Sequence, residues 1–141
     1  MAIQDSVRNP RVGLLKVDYS VIIIPEDNSA FSIEVNDHFE CKVVKDGLEL
    51  SALFHRSVSL NPPQLFNIEI VYEIDWDIIE GKTQEIKENI EKISIADKNF
   101  LCYSAKAEAA MLIAQMTKSN SMLPPLWTPD SLIEQSKGNK I

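Results

Sequence analysis

The sequence predicts an α+β fold: a four-stranded antiparallel sheet in meander order, then a long buried helix and a short C-terminal helix. Three observations carry this reading. Apolar and polar residues alternate with period two through the first half of the chain, helical spacing replaces that alternation after Gly81, and Gly or Pro residues stand between the periodic segments.

In the first strand Val17, Tyr19, Val21 and Ile23 share a face, with Lys16, Asp18 and Ser20 opposite. Next, Phe31, Ile33, Val35, Phe39, Cys41 and Val43 share a face that only Asp37 interrupts. Lys45, Asp46 and Gly47 supply a hairpin turn, because Gly tolerates the positive φ such turns require. The return strand sets Leu48, Leu50, Ala52, Phe54, Val58 and Leu60 on one side and ends at Pro62 and Pro63, which have no N–H for a sheet ladder. A fourth strand places Phe66, Ile68, Ile70, Tyr72, Ile74 and Trp76 inward and Asn67, Glu69, Glu73, Asp75 and Asp77 outward. Strands that follow one another this closely favour a meander.

Beyond Gly81, Ile86, Ile90 and Ile93 fall on one face of a short amphipathic helix. From Asp97 to Ser119 the chain holds no Gly or Pro and is rich in Ala, Leu and Met, which predicts one helix of roughly twenty residues. Its apolar residues surround most of the axis, so burial on more than one side is expected. A Pro-rich connector at 121–127 leads to a last helix, with Thr128 as N-cap and Pro129 at its first position. Residues 1–12 are read as a flexible segment, 13–135 as the folded domain and 136–141 as a frayed tail.

Composition narrows function. A net charge of -7, with 14 Lys and Arg against 21 Asp and Glu, does not supply the basic surface that nucleic acid requires. The longest apolar run, 21–24, is far below the roughly 20 residues of a membrane helix. The N-terminus lacks a secretory pattern, so the expected location is the cytoplasm, with Cys41 and Cys102 as reduced, packed thiols. No phosphate-binding glycine motif or nucleophile elbow is present. His38 with Cys41 lacks the second ligand pair a structural zinc site needs, and Cys102 with His55 makes no convincing dyad. The expectation is a binding protein, not an enzyme, with no metal and no cofactor. Glu69, Glu73 and Asp75 read as a solvated acidic stripe, open to a basic partner. Met122, Leu126 and Trp127 are large apolar side chains in a connector, where they either cover the core or line a groove.

Three segments near the C-terminus resemble the SecB family of protein-export chaperones: residues 99–108 (Asn-Phe-Leu-Cys-Tyr-Ser-Ala-Lys-Ala-Glu), 113–119 (Ile-Ala-Gln-Met-Thr-Lys-Ser) and 123–129 (Leu-Pro-Pro-Leu-Trp-Thr-Pro). The matching positions are Tyr103, Ala105, Glu108, Pro124, Pro125, Leu126 and Pro129, and the order of strands and helices agrees from about residue 13 to 135. The resemblance implies a homotetramer assembled as a dimer of dimers, an ATP-independent holdase for unfolded or precursor polypeptides. It further implies an export motor ATPase docked on the acidic sheet face, here Glu69, Glu73 and Asp75. Two departures mark a divergent member: the segment 25–30 is short where the family has a longer aromatic crossover, and the last helix and acidic tail are reduced. They raise an alternative of a different class, a dedicated interaction protein serving one fixed partner such as the antitoxin of a toxin–antitoxin pair. The residues expected to touch polypeptide are Phe54, Phe66, Trp76, Met122, Leu126 and Trp127.

Overall fold

The computed structural model of the chain describes residues 2–22, 32–61, 65–118, 126–128 and 139–140. Four long strands, β1 (Val7–Ile22), β2 (Ser32–Val44), β3 (Glu49–Asn61) and β4 (Leu65–Ile78), form an antiparallel sheet, and helices α1 (Thr83–Asn89), α2 (Ile95–Leu101) and α3 (Tyr103–Lys118) follow. A two-residue strand, β5 (Asn139–Lys140), completes the sheet in the order β1-β4-β3-β2-β5.

The α+β class, the antiparallel sheet and the order of strands before helices are those the alternation predicts. Strands β2, β3 and β4 form the meander, but β1 lies beside β4 and not beside β2. Charge and length both favour this placement. β1 carries Arg8 and Arg11 opposite Asp77 and Asp75 of β4, so cations meet the most acidic strand. Nine residues separate β1 from β2; an extended chain of that length reaches ~30 Å, whereas crossing three strand spacings needs only about 14 Å.

Other boundaries also differ from the sequence reading. β1 begins at Val7, and Ile3 ahead of it is fully buried, so the segment expected to be flexible is part of the fold. Two register shifts interrupt β1, one holding Asn9 at φ 58 and Pro10, whose missing N–H is tolerated at an edge-strand bulge. The second shift puts Leu14, rather than Leu15, on the face shared by Val12 and Val17. Asn139 and Lys140 pair with β2 in a tail expected to fray. The crossover at 25–30 and the final helix beyond Thr128 lie outside the described residues.

The β2–β3 turn runs through Lys45, Asp46 and Gly47, all at positive φ. A Cβ at Gly47 would meet the Thr83 methyl at 2.7 Å, and the Thr83 hydroxyl donates to the Gly47 carbonyl at 2.8 Å, so the turn also anchors the start of α1.

One sheet face is covered by the helices. Leu50, Ala52, Phe54, Val58, Phe66, Ile68, Ile70, Tyr72 and Ile74 pack with Leu101, Ala105, Ala109 and Ile113, where the alanines admit a close helix–sheet approach. Each large side chain buried there contributes about 1.5–3 kcal/mol before entropy is counted. The expected single long helix is broken at Cys102, where the backbone leaves helical geometry (φ -109, ψ 18). The indole N–H of Trp76 donates to the Leu101 carbonyl at 3.0 Å, engaging an acceptor that a continuous helix would use itself. Within one chain α3 is buried along one side only; Tyr103 and Met111 are exposed on the other.

Candidate functional site

Four of the six residues expected to touch polypeptide belong to the core. Phe54 and Phe66 are fully buried, and Trp76 and Leu126 nearly so. The period that placed the three aromatics on the inward face is the one the helices cover. Leu126 is drawn inward because its N–H donates to the buried Thr117 hydroxyl at 2.8 Å. Trp127 points the other way and is 66 % exposed, over a small cleft with Met111, Ala114, Gln115 and Lys118. Met122 lies outside the described residues.

The acidic stripe stands on the uncovered sheet face, and part of it is engaged by neighbouring strands. Glu69 accepts from Lys16 Nζ at 2.9 Å and has His55 Nε2 at 3.3 Å. The Lys16 hydrogen bond holds the Glu69 carboxyl below its ordinary range and raises the Lys16 ammonium in turn. Glu73 accepts from the Ser51 hydroxyl at 3.2 Å, and Asp75 pairs in register with Arg11. Asp77 is lowered by the Asn9 amide and then by Arg11. Neither cysteine–histidine pair assembles: His38 and His55 face each other across β2 and β3 on the uncovered side, while Cys102 is buried beneath the helices.

A groove that the sequence reading does not single out runs along the outer side of β2. Its floor is Phe39, Cys41 and Val43, on the inward face and only partly buried, and its wall is Ile90 and Ile93. Lys87, Lys98 and Glu91 rim a volume of about 480 Å³; Glu40 and Lys42 also border it through β2 but alternate with the floor residues and belong to the opposite sheet face. Burial pushes the Cys41 thiol up to about 11, partly opposed by Lys98, so at neutral pH it is a protonated, apolar lining group. On the side of β2 away from β3, β5 pairs at Glu34 and Val35; among the described residues no strand pairs with β2 from Phe39 to Val44 on that side. A strand edge of this kind, beside an apolar floor, is the arrangement that takes an added strand. The sequence marks Phe39, Cys41 and Val43 as a strand face and Ile90 and Ile93 as a helix face, but nothing local reveals that the two meet.

A second polar element missed from sequence is buried. Arg56 interrupts the inward face of β3 and pairs with Asp37, its cross-strand partner, through Nε–Oδ1 at 2.7 Å and Nη2–Oδ2 at 2.8 Å. Arg56 also donates to the Thr128 hydroxyl at 3.1 Å, which fastens the connector to the sheet. Thr128, expected as a helix cap, thus turns its hydroxyl to this arginine.

The fold and groove define a class: an α+β architecture whose antiparallel sheet carries an apolar channel along its β2 edge. No protein family's sequence profile matches the chain, and no curated protein matches it. Among solved structures, the chain is similar in fold to a SecB-like chaperone of Mycobacterium tuberculosis in complex with a ChAD peptide from the HigA1 antitoxin. That likeness has a TM-score of 0.59 at 13% identity and covers 90% of this chain and 92% of the other. A protein of unknown function from Streptococcus agalactiae is similar at a TM-score of 0.56 and 11% identity, over 88% of this chain and 98% of that one.

Proposed function

We propose that this chain is a SecB-like polypeptide-binding protein that holds extended segments passively, without nucleotide turnover or catalysis. The observation that carries the reading is the apolar channel floored by Phe39, Cys41 and Val43, along a β2 edge that no described strand pairs from Phe39 to Val44, in a fold shared with a chaperone solved in complex with a peptide. A segment laid on that edge gains backbone hydrogen bonds worth about 0.5–1.5 kcal/mol each, net. Ordering it costs about 1–2 kcal/mol per residue, so the backbone bonds roughly cancel the entropy. Apolar side chains on the floor then decide affinity at about 25 cal/mol per Å² buried. Binding of this kind tolerates many sequences and releases without an energy source, which is what a holdase requires.

Assembly as a homo-oligomer, a dimer of dimers, and docking of a basic partner or export motor on Glu69, Glu73 and Asp75 belong to the same proposal. A second reading, service to one fixed partner, is favoured by the antitoxin peptide held by the mycobacterial neighbour. Light scattering from an aggregating unfolded protein tests the first: suppression at stoichiometric amounts is expected, and undiminished aggregation rejects a general holdase. Co-purification of one stoichiometric partner, in place of a mixture of unfolded chains, selects the second.

A further inference from the structure

We infer that β5 is a displaceable strand of the chain itself, which holds one end of the β2 edge and competes there with long polypeptide segments. The inference rests on the polypeptide-binding reading and adds its regulation. Position and attachment both support it.

Asn139 and Lys140 pair antiparallel with Val35 and Glu34, on the side of β2 that faces away from β3. The channel floor begins at Phe39, four residues further along the same strand, or about 13 Å at the rise of an extended chain. Between the two lie Asp37 and His38, which have partners of their own. The edge is thus held at its Glu34 end, and no described strand pairs with it from Phe39 to Val44. A segment laid on Phe39 to Val44 alone stops short of β5. One that continues toward Ile33 needs the backbone groups that β5 holds, and two strands cannot share one edge.

The attachment is weak at β5 and firm just ahead of it. β5 is the outermost strand, two residues long, and pairs on one side only. Leu126 and Thr128, by contrast, are buried and tied by separate hydrogen bonds, Leu126 N–H to the Thr117 hydroxyl at 2.8 Å and Arg56 Nη1 to the Thr128 hydroxyl at 3.1 Å. Arg56 also keeps Asp37 as its counter-charge, so neither anchor depends on β5. Release of β5 therefore leaves the connector seated and costs only a short ladder. A strand carried on the same molecule returns to its edge by an intramolecular step, so even a short ladder competes with a segment arriving from solution.

Fluorescence anisotropy on the parent and on a variant lacking residues 139–141 tests this, with two labelled peptides of alternating Val and Thr. A twelve-residue peptide matches β2 from Ile33 to Val44, and a six-residue peptide matches only Phe39 to Val44. Deletion is expected to tighten the longer peptide about tenfold and to leave the shorter unchanged. Tenfold corresponds to β5 being seated in about nine molecules of ten, because apparent affinity scales with the open fraction. Asn139→Pro/Lys140→Pro removes both N–H groups at full length and is expected to act as the deletion does. Circular dichroism establishes that both variants fold. Hydrogen exchange reads the pairing without any peptide. Successive residues direct their N–H groups to opposite sides of a strand, so one of Glu34 and Val35 faces β5 and the other β3. The amide facing β5 is expected to exchange faster in both variants, and unchanged exchange there overturns the inference. A long-peptide affinity that is unchanged or weakened by deletion, or equal tightening of both peptides, also overturns it and leaves polypeptide binding standing. No binding of either peptide to any form, with aggregation still suppressed, overturns the groove assignment and this inference with it; failure in both assays removes the polypeptide-binding reading as well.

Discussion

Asp37 and Arg56 show how one pair of residues fixes a strand register. Both interrupt otherwise apolar faces, and they lie equidistant from the turn at 45–48, so a hairpin closed by Val44 and Glu49 must set them opposite one another. A slip by one residue would turn one strand's apolar face to solvent, and a slip by two, which keeps the faces, would bury each charge without its partner. Replacing Asp37 with Asn keeps the shape and removes the counter-charge from a buried guanidinium. The expected loss is about 3–5 kcal/mol, read as a fall in the urea midpoint. The double variant Asp37→Leu/Arg56→Met is expected to recover most of it, since neither charge remains to be compensated. Equal destabilisation by the single and double variants would show that the pair acts through packing alone. The break at Asp37 is visible in the sequence; its meaning requires counting outward from the turn to find Arg56.

At the scale of elements, what is legible in the sequence follows from local periodicity, and what is not follows from distant contacts. The strand faces from Val17 to Val21, Ile33 to Val43, Leu50 to Leu60 and Phe66 to Trp76 can be read because alternation is a property of neighbours. The division of α2 from α3 cannot, because 97–119 contains no breaker and the cause is the Trp76 indole, on another element. The groove is hidden for the same reason: its floor and wall lie some fifty residues apart, and the aromatics that stand out in their place are the ones whose period marks them for the core. Trp76→Phe tests the account of the break. It keeps an aromatic ring to stack on Phe100, whose centroid lies 5.2 Å from that of Trp76, and removes the N–H to Leu101 together with part of the indole's volume. A stability loss of about 1–3 kcal/mol is expected from the buried carbonyl left without a donor. A urea midpoint unchanged from the parent would mean that Cys102 ends α2 for a reason intrinsic to the chain.

At the scale of the whole molecule, the sheet has two edges with opposite characters. The β2 edge carries β5 at Glu34 and Val35 and has Lys87 and Lys98 beside its groove, charges that oppose uncontrolled pairing. The β1 edge is sixteen residues long, and Leu14, Val17 and Val21 on it are exposed, Val21 to 75 %. These side chains share the helix side of the sheet, where α3 leaves Tyr103 and Met111 uncovered, Met111 to 57 %. A long apolar edge of this kind invites aggregation unless something covers it, and a two-fold axis across β1 would cover it with its own copy. Antiparallel pairing of β1 with itself would extend the sheet, and a stable contact of this type buries about 800 Å² per partner. Sedimentation velocity is therefore expected to give a species heavier than the 15.9 kDa chain. Val17→Lys/Val21→Lys places charges on the edge and should return the monomer with its far-ultraviolet circular dichroism intact. Because β2 lies on the far edge, the same variant should bind peptide as the parent does, so assembly and binding separate when the two proteins are compared. A parent chain that sediments as a monomer at micromolar concentration would leave the β1 row unexplained by self-association and assign it to a different covering partner.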